Sequence, residues 1–364
     1  MLPKIQNNQP PMDIQKPQQQ PTASTTDTEP SLQDSCGDDH DSTIPKISEQ
    51  VQRNLGKLPK RCFIQPDQVD LSKKMRLGCG AFCEVHKVVT TKDQQTLAMK
   101  HLSPKAMHHQ SPRHISGCAT DLSREAALLA TINHENIINL HGISAGSMIE
   151  DGIVVVDDEK KGFFILLDRL KTTLDRKIIK WRKEENASMP PSWRIRKHNQ
   201  HRRKLLWERL EVALEIVKGL QYLHDVHRIV HCDIKPDSIG FDENGVVKIF
   251  DFGLAMKLNS DTDAIRGFGG TRLYMAPEIH QHEPYGRKVD VFAFAMTLWQ
   301  MCVLKDIPIY VYGCDDRPQM QGWWPKELRE LMAQCWSADP DDRPSCKEIV
   351  SRIENMLSER RGEQ

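Results

Sequence analysis

The stretch from Ile229 to Gly253, IVHCDIKPDSIGFDENGVVKIFDFG, constrains this chain more than any other. It holds two acidic residues, Asp233 and Asp251, each at a loop position after a short apolar run. Between them stands a hairpin pattern: a strand at Ile239–Phe241, a turn at Asn244-Gly245 and a second strand at Val246–Phe250. A hairpin turns the chain back on itself, so both carboxylates are expected to face one cleft. Lys235, just beyond Asp233, is a cation suited to a phosphate beside a general base. Asp251 precedes Phe252-Gly253: a carboxylate suits a hard cation, and the glycine lets the backbone pivot.

His231-Cys232-Asp233-Ile234-Lys235-Pro236 resembles the catalytic loop of protein kinases, and Asp251-Phe252-Gly253 resembles their magnesium-binding triplet. A lone D-F-G is weak; the two motifs in order, with a hairpin between, are specific. Upstream, Leu77-Gly78-Cys79-Gly80-Ala81-Phe82-Cys83-Glu84-Val85 resembles the glycine-rich loop, with Cys83 where a third glycine is usual. Thr96–Lys100 alternates as a strand, and its Ala98-x-Lys100 resembles the adenine-lining Ala and phosphate-holding Lys. Ser123–Ile132 has helical periodicity, and its Glu125 stands where such kinases pair a Glu with that Lys. Gly152–Val156 and Gly162–Leu167 read as a strand pair leading into a hinge at Asp168-Arg169-Leu170, with Leu167 guarding the back of the pocket. Leu205–His224 is an amphipathic helix running into the catalytic stretch.

Downstream, Gly270-Thr271 and Ala276-Pro277-Glu278 resemble the end of a serine/threonine kinase activation segment. Asp290 resembles the helix Asp that braces the catalytic loop, and Arg343 is expected to pair with Glu278 in a partly buried structural bridge. Cys335-Trp336, Asp339-Pro340 and Asp342-Arg343-Pro344 are similar to the tyrosine-kinase-like group, most of whose members phosphorylate Ser or Thr. The resemblance implies an α+β fold of two lobes, a small mainly β N-lobe over 71–168 and a larger helical C-lobe over 169–357. It implies ATP and Mg2+, with Mn2+ as the alternative metal, and protein substrates carrying Ser or Thr.

The implied site residues follow motif by motif. Asp233 orients and deprotonates the hydroxyl, and Lys235 holds the γ-phosphate. Lys100, held by Glu125, grips the other phosphates, while Leu77, Gly78, Gly80, Val85, Ala98, Asp168 and Leu170 line the nucleotide pocket. Asp251 binds metal. The second metal ligand of the family is an Asn; here the position is Ser238, a shorter and weaker neutral donor. Cys232 replaces the Arg that usually receives an activation-segment phosphate, which argues against strict control by such phosphorylation. An active kinase is the first reading. A pseudokinase or nucleotide-binding scaffold, kept open by Ser238 and Cys83, is the second.

Residues 1–70 are rich in Gln and Pro and are expected to be a disordered tail; 358–364 are expected to be a short C-terminal tail. Residues 181–204 carry a basic run and Pro190-Pro191, read as an insertion looping out of the C-lobe. Tail and insertion are the candidate docking segments for partners. The His-rich 101–118 reads as an extended loop without convincing metal spacing. Lys+Arg and Asp+Glu are both 50, so net charge gives no argument for nucleic acid. No apolar run suits a membrane span or a secretion signal, and the 10 cysteines are scattered, which points to a reducing cytoplasmic or nuclear compartment. Cys79, Cys83 and Cys232 are expected near the nucleotide cleft.

Overall fold

The computed structural model describes residues 50–362, apart from 52, 57, 81, 104–111, 145–162, 188–194 and 309–315. Six strands form the N-lobe sheet: β1 (Phe63–Ile64), β2 (Val69–Cys79), β3 (Cys83–Thr90), β4 (Thr96–Leu102), β5 (Leu140–Ser144) and β6 (Phe164–Asp168). Their order is β1-β5-β6-β4-β3-β2, antiparallel except for the β1–β5 pair. Alternation along β4 sets the two faces. Leu97 and Met99 join Val88, Phe164 and Leu166 in a small outer core, whereas Ala98 and Leu102 enter the main core. Lys100 shares the face of Ala98, so the strand period delivers its ammonium to the inner side. There it meets α1 (Pro112–Leu129).

The C-lobe begins with β7 (Thr172–Thr173) and is mainly helical: α2 (Leu174–Ala187) and α3 (Ile195–Tyr222). Then come β8 (Ile229–Val230), the hairpin β9 (Ile239–Phe241) and β10 (Val247–Ile249), and β11 (Met256–Lys257). The chain ends with α4 (Pro277–His280), α5 (Lys288–Val303), α6 (Lys326–Cys335) and α7 (Cys346–Gly362). Helix α5 is buried from Val289 through Trp299, as its nearly unbroken apolar sequence requires. The hairpin forms where the sequence placed it, with Ile239 opposite Ile249 and Phe241 opposite Val247. Gly245 supplies the positive φ of +87° at its turn.

Several boundaries differ from expectation. Order begins well before residue 71. Residues 50, 51 and 53–55 are helical, and Val51 and Leu55, at 1% and 2% exposure, belong to the main core with α1. Asn54 Nδ2 donates to Ser123 Oγ at 2.8 Å, which fixes this turn on α1. The spacing Val51–Leu55–Leu58 is helical, but the polar residues around it mask the signal. Leu55→Ala should therefore cost about 2–3 kcal/mol. A denaturant midpoint equal to wild type would show that the segment is dispensable.

At the other end, α7 continues through 358–362 instead of fraying into a tail. Arg360 and Arg361 suit a helix C-terminus, and Arg360 stacks over Trp207. The looped-out insertion is also corrected. Residues 181–187 complete α2 and 195–204 open α3, leaving 188–194 outside the described residues. Glu185 joins the two helices by accepting from Arg202 at 2.8 Å and Arg209 at 3.0 Å, so part of the basic run has a structural partner. Helix α1 starts at Pro112, where proline fits a first turn, and absorbs the end of the His-rich run; His108 and His109 lie outside the described residues. Gly152–Val156 also lies outside them, and β6 pairs with β5 and β4. Among the described residues no helix is long and apolar enough to cross a membrane.

Candidate active site

Between the sheet and the helical lobe lies a cleft of about 520 Å³. Leu77, Gly78, Gly80, Val85, Ala98, Lys100, Asp168 and Leu170 all line it, with Glu125, Leu167 and Asp251. Lys100 Nζ donates to both oxygens of Glu125, at 2.7 and 3.0 Å, and to Asp251 Oδ1 at 3.0 Å. Burial works against the Lys100 charge, but the Glu125 and Asp251 carboxylates outweigh it and push its pKa up. The Lys100 ammonium in turn holds the Asp251 carboxyl below the usual range. Arg124 Nη2 donates to Gly253 O at 2.8 Å, tying α1 to the same triplet. Phe252 is buried edge-on against the His231 ring, with centroids 4.9 Å apart.

The hinge carboxylate points elsewhere. Asp168 accepts from the backbone and side chain of Asn139, both at 2.9 Å, and contacts His141 at 2.7 Å. Asp168 therefore offers the cleft its backbone, not its charge. The turn of the glycine loop closes through Gly80 N–H donating to Cys83 O at 2.8 Å. Cys83 itself is the first residue of β3, so a side chain is tolerated at that position.

The catalytic loop is held from below. Asp290, fully buried on α5, accepts from the backbone N–H of His231 (2.8 Å) and Cys232 (2.9 Å), and pairs with His224 at 2.8 Å. This bracing supports a costly backbone: Cys232 and Asp251 both adopt a left-handed φ of +66°. Asp233 Oδ2 accepts from Lys235 Nζ at 2.6 Å and Oδ1 from Thr271 N–H at 2.8 Å; Lys235 Nζ also donates to Thr271 Oγ1 at 2.6 Å. Gly270 makes this approach possible, because a Cβ there would stand 2.7 Å from Cys232 O. Asp233 lies beside the cleft rather than in its wall. His231 Nε2 reaches Phe250 O at 3.1 Å and Phe250 N–H donates to Ser238 O at 2.9 Å, so loop and triplet are bonded together. The activation segment is tied by Asp261, which accepts from Arg228 (3.1 Å) and Arg287 (3.2 Å) in the absence of an Arg at 232.

Ser238 departs from its expected role as metal ligand. Its Oγ accepts from Lys235 N–H at 3.0 Å and donates toward the carbonyls of Asp233 (2.8 Å) and Lys235 (3.0 Å), and the residue is 1% exposed. A hydroxyl so engaged inside the loop is a staple with little left for a cation. Asp251, 49% exposed at its side chain, is the carboxylate of the cluster that remains open to a cation. One carboxylate plus phosphate oxygens is an ordinary way to hold Mg2+. We expect Ser238→Asn, which adds a carbonyl oxygen of longer reach, to lower the free Mg2+ needed for half-maximal phosphotransfer. An unchanged metal titration would show that Asp251 alone suffices.

Thr271 is the site residue that motif reading left unassigned. It was visible within Gly270-Thr271, but its bonds span the long loop from Asp233 and Lys235. The cysteines divide. Cys79 and Cys83 line the cleft, whereas Cys232 is buried within the catalytic loop and does not. Burial pushes the Cys83 thiol up to about 11, that of an inert side chain rather than a reactive thiolate.

The sequence profile of the protein kinase domain matches residues 71–352. The chain belongs to the protein kinase family. Members of this family use ATP with a divalent metal, usually Mg2+, and act on protein hydroxyls. Similar proteins include the dual specificity protein kinase shkB of Dictyostelium discoideum, 28% identical over 82% of this chain and 42% of its own length. The serine/threonine-protein kinases STY17 and VIK of Arabidopsis thaliana are 25% and 27% identical, over 80% and 82% of this chain. The chain spans 46% of STY17 and 63% of VIK, well short of the full length of these relatives.

Proposed function

We propose that this chain is an ATP-dependent serine/threonine protein kinase. The observation that carries the reading is the closed Lys100–Glu125–Asp251 cluster in the cleft, formed together with the Asp233–Lys235–Thr271 cluster beside it. In this family both the Lys–Glu pair and the triplet Asp must be in place for transfer. ATP with its metal supplies the phosphoryl group and neutralises part of its charge. Leu77, Val85, Ala98 and Leu170 sandwich the base, and the backbone at 168–170 takes its edge. Lys100 grips the inner phosphates and Asp251 holds the metal. Asp233 orients the incoming hydroxyl and accepts its proton. Lys235 steadies the transferring group, and Thr271 keeps both residues in register.

The acceptors are protein Ser and Thr residues, a choice supported by Lys235 bonding to Thr271. Placement in the cytoplasm or nucleus belongs to the same reading and is supported by free buried thiols such as Cys302 and Cys335. Purified protein with Mg2+–ATP and a generic substrate should yield phosphoserine and phosphothreonine. Phosphotyrosine alone would overturn the specificity. No transfer by wild type or Ser238→Asn at any metal concentration would leave the nucleotide-binding scaffold as the function.

A further inference from the structure

The outer face of the N-lobe sheet carries a polar cluster that phosphotransfer does not use. Alternation along β3 puts Glu84 and His86 on the face of Val88, and alternation along β4 puts His101 on the face of Leu97 and Met99. Glu84 stands directly opposite His101 in the ladder, and His86 is its diagonal neighbour. One donor atom from each of the three lies within 4.8 Å of the others. We propose that Glu84, His86 and His101 bind one divalent transition-metal ion of the zinc class.

The two rings meet at 3.0 Å, His101 Nε2 to His86 Nδ1. His101 Nδ1 lies 2.8 Å from Leu102 O. A carbonyl can only accept, so Nδ1 carries the proton and Nε2 presents its lone pair to the cluster. Glu84 Oε1 accepts from Ser103 Oγ at 2.9 Å, and Glu84 Oε2 lies 3.9 Å from His86 Nε2. Two of the three ligands therefore already have the outer partner that orients a metal-binding group. Tetrahedral zinc holds two nitrogens about 3.3 Å apart, so their spacing has to widen by only a few tenths of an ångström while the rings turn to aim both lone pairs at the ion. His86 Nδ1–H donates to the His101 Nε2 lone pair, so on binding the neutral His86 moves its one proton from Nδ1 to Nε2, on the side of Glu84 Oε2, and Nδ1 takes the ion. Two imidazoles and one carboxylate leave a fourth position for water. Arg76, 4.0 Å from Glu84 Oε1, is the competing cation, and its exposed side chain is able to swing away. The ion would cross-link β3 and β4 at the base of the glycine loop, where Ser103 N–H donates to Phe82 O at 2.8 Å.

The test is calorimetric titration of the metal-free full chain with Zn2+, alongside Co2+ absorption spectra that report tetrahedral nitrogen and oxygen ligation. Wild type should take up one ion tightly. His101→Ala and Glu84→Gln should each weaken that ion by more than about 100-fold, and Ser103→Ala, which keeps every ligand, by about 10-fold. If His101→Ala does not fold, the isosteric Glu84→Gln and Ser103→Ala decide. Absence of a tetrahedral Co2+ spectrum, or wild-type affinity retained in Glu84→Gln and Ser103→Ala, would overturn the site.

Discussion

Asp233→Asn is expected to slow phosphotransfer by about 10²–10⁴-fold, the usual weight of a positioned general base. Nucleotide binding should stay close to wild type, because Asp233 contacts Lys235 and Thr271 and does not line the cleft. The substitution keeps the shape but puts an amide where Lys235 Nζ now donates, so donor faces donor. Asp251→Asn should behave in the opposite way. It removes the charge that pairs with Lys100 and the carboxylate available to a metal, so metal-dependent nucleotide affinity should fall together with turnover. Rapid-quench phosphotransfer and nucleotide titration, with and without Mg2+, separate the two. Equal losses of nucleotide affinity in both variants would refute the division of labour between loop and triplet.

Arg343→Ala should lower folding stability by about 3–5 kcal/mol, the cost of breaking a buried ion pair on one side. Its guanidinium meets Glu278 in a fork, Nη1 to Oε1 at 2.6 Å and Nη2 to Oε2 at 2.8 Å. It also donates to the carbonyls of Ser337 (2.9 Å), Lys288 (3.1 Å) and Ala338 (3.1 Å), and its face covers the Phe292 ring. At 1% exposure, Arg343 leaves no route for water to replace those donors. Arg343→Lys should recover only a small part, since an ammonium cannot reproduce the fork. Removing both partners should cost less than removing Arg343 alone, because no buried carboxylate is then stranded. Urea midpoints for these variants measure the effect. A midpoint for Arg343→Ala within error of wild type would mean that the bridge carries no stability. The sequence reading anticipated this pair as partly buried, but the extent of burial comes from the crowding of α4, α5 and the 337–343 loop around it.

The chain's own order of residues determined the kinase family, the two-lobed fold and most of the residues that line the cleft. Each motif is local: a glycine turn, an alternating strand ending in Lys100, a hairpin between Asp233 and Asp251. Local patterns are legible because strand and helix periods dictate which face a side chain takes. What tertiary structure alone decided are the contacts made across long loops. Ser238 was read by position as a metal ligand, yet the surrounding loop carbonyls capture its hydroxyl. Asp168 was read as a hinge residue, and Asn139 and His141 turn its carboxylate away from the cleft. Thr271 became part of the site because Gly270 lets the activation segment lie against Cys232. Val51 and Leu55 were hidden in a polar tail until α1 supplied the surface that buries them. Glu84, His86 and His101 look unrelated along the chain and come together because β3 and β4 pair in register. A short apolar or polar residue carries no sign of its partner; only the fold that packs distant segments together assigns one.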